Sequence, residues 1–150
     1  LSRHCVKFST HIVILITSMA LSSCSTKSDT QQFSDSNKLK QYYIKGEQLY
    51  LHHCSNCHQK NGTGLGLVYP PLHISDYMTN QLPEVICLIK NGKAGELVVN
   101  GKSYNQRMPG IPTLSDLEIA EIATYIYNTW GHSRGLVDVQ EVSKILRACE

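Results

Sequence analysis

No run of lysine and arginine, and no alternation of basic with aromatic residues, occurs in the chain, which removes the usual electrostatic footprint of a nucleic-acid binder. Nor is there a stretch of about 20 mostly apolar residues, the length a helix needs to cross a bilayer; the longest apolar run, around Ile12–Ile16, is short and interrupted by Ser and Thr. Cys54 and Cys57 lack the second C-x-x-C, or the H-x-x-x-H, that would complete a structural zinc centre. The sequence supports no Ser-His-Asp-like set and no paired carboxylates, so no small-molecule substrate and no catalytic residue is expected. Charged residues make up 17% of the chain and the formal net charge is +2, so charge alone selects no partner. With 150 residues and 41% hydrophobic content, a single globular domain is expected.

What is present centres on Cys54-Ser55-Asn56-Cys57-His58. On a helix, residues three and four apart share a face, so Cys57 and His58 both lie beside Cys54. Two thiols and an imidazole so placed match the C-x-x-C-H signature for covalent attachment of a c-type haem, with the thiols on the vinyl groups and His58 as an axial iron ligand. A thioredoxin-like dithiol would follow a strand in a βαβ unit, whereas the residues before Cys54 have helical period.

Residues 1–23 have the layout of an export signal: Arg3, His4 and Lys7, then an apolar stretch, then small residues. Leu21-Ser22-Ser23-Cys24 resembles the bacterial lipoprotein box, which implies cleavage before Cys24 and lipidation of its thiol. Residues 24–38 are expected to be the lipidated Cys and a flexible linker, since Ser, Thr, Asp, Gln and Asn dominate and bury no core. Such a tether spans on the order of 20 Å. The expected address is therefore an exported, membrane-anchored lipoprotein facing the periplasm, or the outer face of the membrane.

The domain expected over 39–131 opens with a helical period through Tyr43, Gly46, Glu47, Leu49, Tyr50 and His53. Gly46 and Tyr50 stand four apart, and Tyr50 stands four before Cys54; in this arrangement the chain resembles the class I c-type cytochromes, and among them bacterial lipoprotein cytochromes c and the haem domains of oxidase and reductase subunits. The resemblance implies that a final helix crosses the first at Gly46, with Ile122 and Tyr125 at the crossing. It also implies that Pro70, or its neighbour Pro71, lends a carbonyl to the N–H of His58, fixing the tautomer and raising basicity. It further implies that Met108, in Arg107-Met108-Pro109-Gly110, is the second axial ligand, ahead of Met78, His52, His53 and His73. Ligation by imidazole and thioether raises the potential and suits electron transfer.

Local signals fill in the rest. Asn61–Gly66 is a glycine-rich loop with no strand before it, unlike a dinucleotide fingerprint, and is expected to let the backbone turn against the haem edge. Leu82–Lys90, with Pro83 at its start and Asn91-Gly92 at its stop, predicts a core helix apolar almost all round. Glu96–Tyr104 predicts a hairpin on a type I′ turn at Asn100-Gly101, the only sheet expected. Ser115-Asp116-Leu117-Glu118 predicts a capping box for a helix running to Gly131. In the extension 132–150, Asp138 starts a further short helix. Counting Cys5 in the signal, Cys24 lipidated and Cys54 and Cys57 on haem leaves Cys87 and Cys149, either a disulfide outside the cytoplasm or buried free thiols.

The expected fold is all-α, a cytochrome c-like helical fold around one haem, with a small β-hairpin before the Met ligand and an extra C-terminal helix. The expected function is a single-electron carrier with one covalent haem c, relaying electrons between redox protein partners in a respiratory chain outside the cytoplasm. Lys60, Lys90, Lys93, Lys102 and Arg107 are candidates to meet an acidic partner surface. The alternatives are a fixed electron-transfer subunit of an oxidase or reductase and a haem-based sensor or peroxidase; the Met-Pro motif argues against the last.

Overall fold

Helix α1 (Asp29–His53) carries the first face of the core, and the short α2 (Ser55–His58) continues it after a kink at Cys54. The computed structural model describes the backbone of residues 29–149 and side chains from Ser34 onward. The expected export signal 1–23 and the lipidated Cys24 lie outside the described residues. After α2 come α3 (Asp76–Asn80), α4 (Leu82–Asn91), β1 (Gly92–Lys93), β2 (Leu97–Val99), β3 (Lys102–Tyr104), β4 (Met108–Pro109), α5 (Asp116–Ile126) and α6 (Val139–Leu146).

The frame is the crossing of α1 with α5. A Cβ on Gly46 would lie 1.9 Å from the Glu121 carbonyl oxygen and 2.9 Å from the Tyr125 Cβ, so only a residue without a side chain lets the backbones come this close. The cost of a mid-helix glycine, about 1 kcal/mol relative to alanine, is offset by the packing around it. Tyr50, Ile119 and Ile122 are almost fully buried there, and the Tyr125 ring stands 5.2 Å from Tyr43 and 5.4 Å from Tyr50. Each buried side chain of this size contributes roughly 1.5–3 kcal/mol.

The first helix starts earlier than expected. Residues 29–38, assigned to a flexible linker, are helical, and Ser34–Asn37 are exposed. Once Tyr42 and Gly46 fix a nucleus against α5, extension costs little per residue, and no glycine or proline between 29 and 38 stops it.

Helix α5 opens with the capping box: the Ser115 hydroxyl accepts from the Glu118 N–H, and the Glu118 carboxylate accepts from the Ser115 N–H. It stops at Ile126, five residues short of the expected Gly131. Side chains take over the backbone groups there: Asn128 Nδ2 donates to the carbonyls of Thr124 and Gly135, and Thr129 Oγ1 donates to the Tyr125 carbonyl.

Helix α4 is less uniformly buried than its composition suggests. Leu82, Val85, Ile86 and Ile89 face the core while Pro83 and Glu84 face solvent. The hairpin β2–β3 is antiparallel with Leu97 opposite Tyr104, and Asn100 and Gly101 both take positive φ (51° and 71°), as a type I′ turn requires. It is not the only sheet: β1 pairs with β4, placing Gly92 opposite Pro109 and Lys93 opposite Met108. Two residues per strand leave no alternation to read in a sequence. The approach is close, since a Cβ on Gly110 would meet the Asn91 carbonyl carbon at 2.4 Å.

Asp138 caps α6, whose Val142 is fully buried against the domain. A disulfide joins Cys149 at its end to Cys87 on α4, Cα atoms 5.7 Å apart across 62 residues. Asp138 also pairs with Lys38, tying the tail to α1.

Candidate cofactor site

The end of α1 delivers Cys54, and one further helical turn delivers Cys57 and His58; the His58 and Cys57 N–H groups both donate to the Cys54 carbonyl, at 3.0 and 3.2 Å. Neither thiol is in a disulfide. Burial, reinforced by the neighbouring Cys57, pushes the Cys54 thiol up to about 12, so it resists forming a thiolate and pairing with its neighbour.

His58 is buried, and its Nδ1–H donates to the Pro70 carbonyl at 3.0 Å, its ring's only hydrogen bond among the described residues. Of the two candidate prolines, Pro70 makes this bond. Burial lowers the pKa of the imidazole and the Pro70 bond opposes that less strongly, so the ring is held neutral, with Nε2 left as a lone-pair donor. The glycine loop makes the arrangement possible: Gly64 has φ of 67°, and a Cβ there would sit 2.2 Å from the Tyr69 carbonyl oxygen and 2.7 Å from the Pro70 carbonyl.

His58 and Pro70 line two adjoining cavities. The first is walled by Tyr50, Cys54, Leu72, Met78, Leu88, Val99 and Ile122, the second by Cys57, Tyr69, Lys93, Tyr104 and Arg107; Met108 lines both. An apolar slot bordered by two unbonded thiols, a neutral imidazole and a thioether has the chemistry to hold a covalently attached haem.

The other candidate ligands are placed elsewhere or differently. His52 and His53 are exposed and stack edge-on against each other, with ring centroids 4.5 Å apart. His73 is half-buried and outside both linings. Met78 is buried on α3 and reaches the first cavity only. Among the candidate docking cations, Lys93 and Arg107 border the second cavity and Lys60 and Lys102 are exposed. Lys90 is committed instead to the carbonyls of Pro112 and Leu114, at 2.9 and 2.7 Å. The walls supplied by Leu88, Val99 and Tyr104 carry no sequence signal of their own, because any apolar residue at a core position reads alike. Among the described residues there is no cluster of three or more His, Cys, Asp or Glu suited to a bare metal ion.

Residues 43–126 match the family model described as cytochrome C oxidase, cbb3-type, subunit III. Cytochrome c-552 of Thermus thermophilus is 31% identical over 93 residues, which are 59% of this chain and 70% of the relative. The cytochrome c subunit of the quinone alcohol dehydrogenase of Gluconobacter oxydans is 28% identical over 102 residues, 67% of this chain. The chain spans 21% of that subunit's length.

Proposed function

Since the chain belongs to the c-type cytochrome family, whose members bind haem c and transfer electrons, we propose that it carries one haem on Cys54 and Cys57 and relays single electrons between protein partners outside the cytoplasm. The observation that carries this is the convergence of both free thiols, the Pro70-bonded His58 and Met108 on one apolar slot. The bound haem supplies an iron that gains or loses one electron.

The residues do the rest. His58 presents Nε2 as a ligand because the Pro70 carbonyl holds Nδ1–H, and that bond makes the imidazole a stronger donor. Met108 presents a thioether, which favours the reduced metal. The apolar walls exclude water, which also disfavours the more charged oxidised state. Lys93 and Arg107 at the mouth of the second cavity suit a partner with an acidic rim. No helix of the described residues is long and apolar enough to cross a membrane; attachment through a lipid on Cys24, after removal of 1–23, supplies the membrane contact in this reading. The setting in this reading is a respiratory relay. A fixed place in a larger oxidase or reductase is the second reading, favoured by the family model's oxidase subunit and the dehydrogenase subunit among the relatives; stable co-purification with a catalytic subunit would select it.

The test is the intact mass of the protein matured in a host able to attach c-type haem. One haem per chain, retained under denaturing conditions and lost in the Cys54→Ala, Cys57→Ala double variant, is expected. Haem that dissociates on denaturation would contradict the reading.

A further inference from the structure

The turn after α5 has a feature that the electron-transfer reading leaves unused. His132 Nε2–H donates to the Leu72 carbonyl at 2.9 Å, across 60 residues. Leu72 is two residues from Pro70, whose carbonyl holds His58. In the same turn Trp130 takes a positive φ of 54°, an unusual conformation for a bulky residue, of the kind that persists where the surroundings enforce it. Its indole lies against Gly62, where a Cβ would come within 2.6 Å of the ring, and edge-on to Tyr50 with centroids 5.3 Å apart. Gly62 in turn accepts the N–H groups of Leu72 and His73, at 2.8 and 2.9 Å. The loop bearing Pro70 is thus held from outside by Trp130 at one end and His132 at the other.

We propose that His132 is a positioning residue for His58, acting through Leu72 to keep the Pro70 carbonyl on the imidazole N–H and so setting how strongly His58 donates to the iron. This rests on the reading of His58 as an axial ligand. The turn itself is rigid: Arg134 N–H donates to the Tyr127 carbonyl at 3.0 Å, and Asn128 Oδ1 accepts from Gly135 N–H at 2.7 Å. Loss of the His132 bond frees Leu72, lengthens the Pro70 contact and weakens the donor, which disfavours the oxidised iron and raises the potential.

The experiment compares midpoint potential and amide hydrogen exchange in the matured native protein, His132→Ala, His132→Asn, His132→Gln and Lys38→Ala. Lys38→Ala loosens the tail at its pair with Asp138 without touching the Pro70 loop. His132→Ala and His132→Asn are expected to shift the oxidised-to-reduced ratio at fixed potential about threefold, a rise of roughly 30 mV at 59 mV per tenfold for one electron. They are also expected to exchange the Leu72 and His73 amides about tenfold faster. His132→Gln, whose longer amide reaches the same carbonyl, should restore both values, and Lys38→Ala should leave both unchanged. Should His132→Ala fail to mature, the contrast of Asn with Gln carries the test. An unmoved potential, or an equal shift in Lys38→Ala, overturns the proposal while leaving His58 as ligand. A native spectrum without imidazole-ligated iron overturns the ligand reading and the proposal together.

Discussion

His58 is buried at the end of a helix, bonded to a carbonyl that is itself held by Gly64 and by the loop anchored on Gly62. Met108 is half-buried between exposed Arg107 and Pro109, on the two-residue strand β4, and β1 is the strand that pairs with it. One side of the slot is fixed by several independent contacts, the other by a short ladder and the Ile111 N–H bond to the Ile89 carbonyl at 3.0 Å. Segments with few buried contacts and exposed backbone bonds open first. The Met108 side is therefore where heat, denaturant or a competing ligand should act first, while the His58 side should fail only with the domain.

Substitutions that attack each side separately would break this contrast. Gly64→Val should have the largest effect: a side chain at φ of 67° meets the Tyr69 carbonyl oxygen at 2.2 Å, and overpacking with backbone strain should cost about 3 kcal/mol or more. Chemical denaturation of the matured protein measures it. Gly110→Val meets the Asn91 and Gly92 backbone at 2.4 and 2.6 Å and should displace β4, costing about 1–3 kcal/mol. Its mark should be loss of the thioether–iron band while the covalent haem and the helical content stay. Equal loss of that band in both variants at matched stability would remove the asymmetry.

Replacing Cys87 and Cys149 together with Ser sharpens the comparison from outside the slot. Opening a 62-residue loop should lower stability by about 2–4 kcal/mol, read as an earlier denaturation midpoint, with the iron spectrum unchanged.

The smallest effect is expected at Lys38–Asp138. The Lys38 ammonium beside it, and the Gln140 N–H, hold the Asp138 carboxyl below its ordinary value. A depressed carboxylate stabilises above its unfolded pKa, near 4, and that contribution disappears as pH falls through the lower folded value. The pair is partly exposed, so it is worth under about 1 kcal/mol. Lys38→Ala should lose that much at pH 7 and should match the native protein in strong acid.

The Cys54–His58 motif, the Ser115 cap and the Asn100-Gly101 turn were legible in the sequence because each depends on residues a few positions apart, whereas the Gly46 crossing, which meets Glu121 and Tyr125 on a distant helix, was legible only through the resemblance. Helix α3 was not: five residues give no period, and its cap, Ser75 accepting from the Met78 N–H, is a single weak signal. The β1–β4 ladder joins residues 15 and 17 positions apart in two-residue strands, too short to alternate. The end of α5 at Ile126 depends on Asn128 reaching Gly135, and the His132–Leu72 bond on two distant loops meeting. Of the site, the residues on the motif's own helix were visible, and the walls that turn them into a slot were set only by the chain's closure.

The most direct test of the central claim is the visible spectrum of the matured protein, oxidised and then reduced, with carbon monoxide added to the reduced form. An electron carrier ligated by His58 and Met108 should show the weak far-red thioether–iron band when oxidised and no spectral change with carbon monoxide. Absence of that band with ready binding of carbon monoxide would mean an open sixth position, contradicting the relay and favouring a sensor or peroxidase.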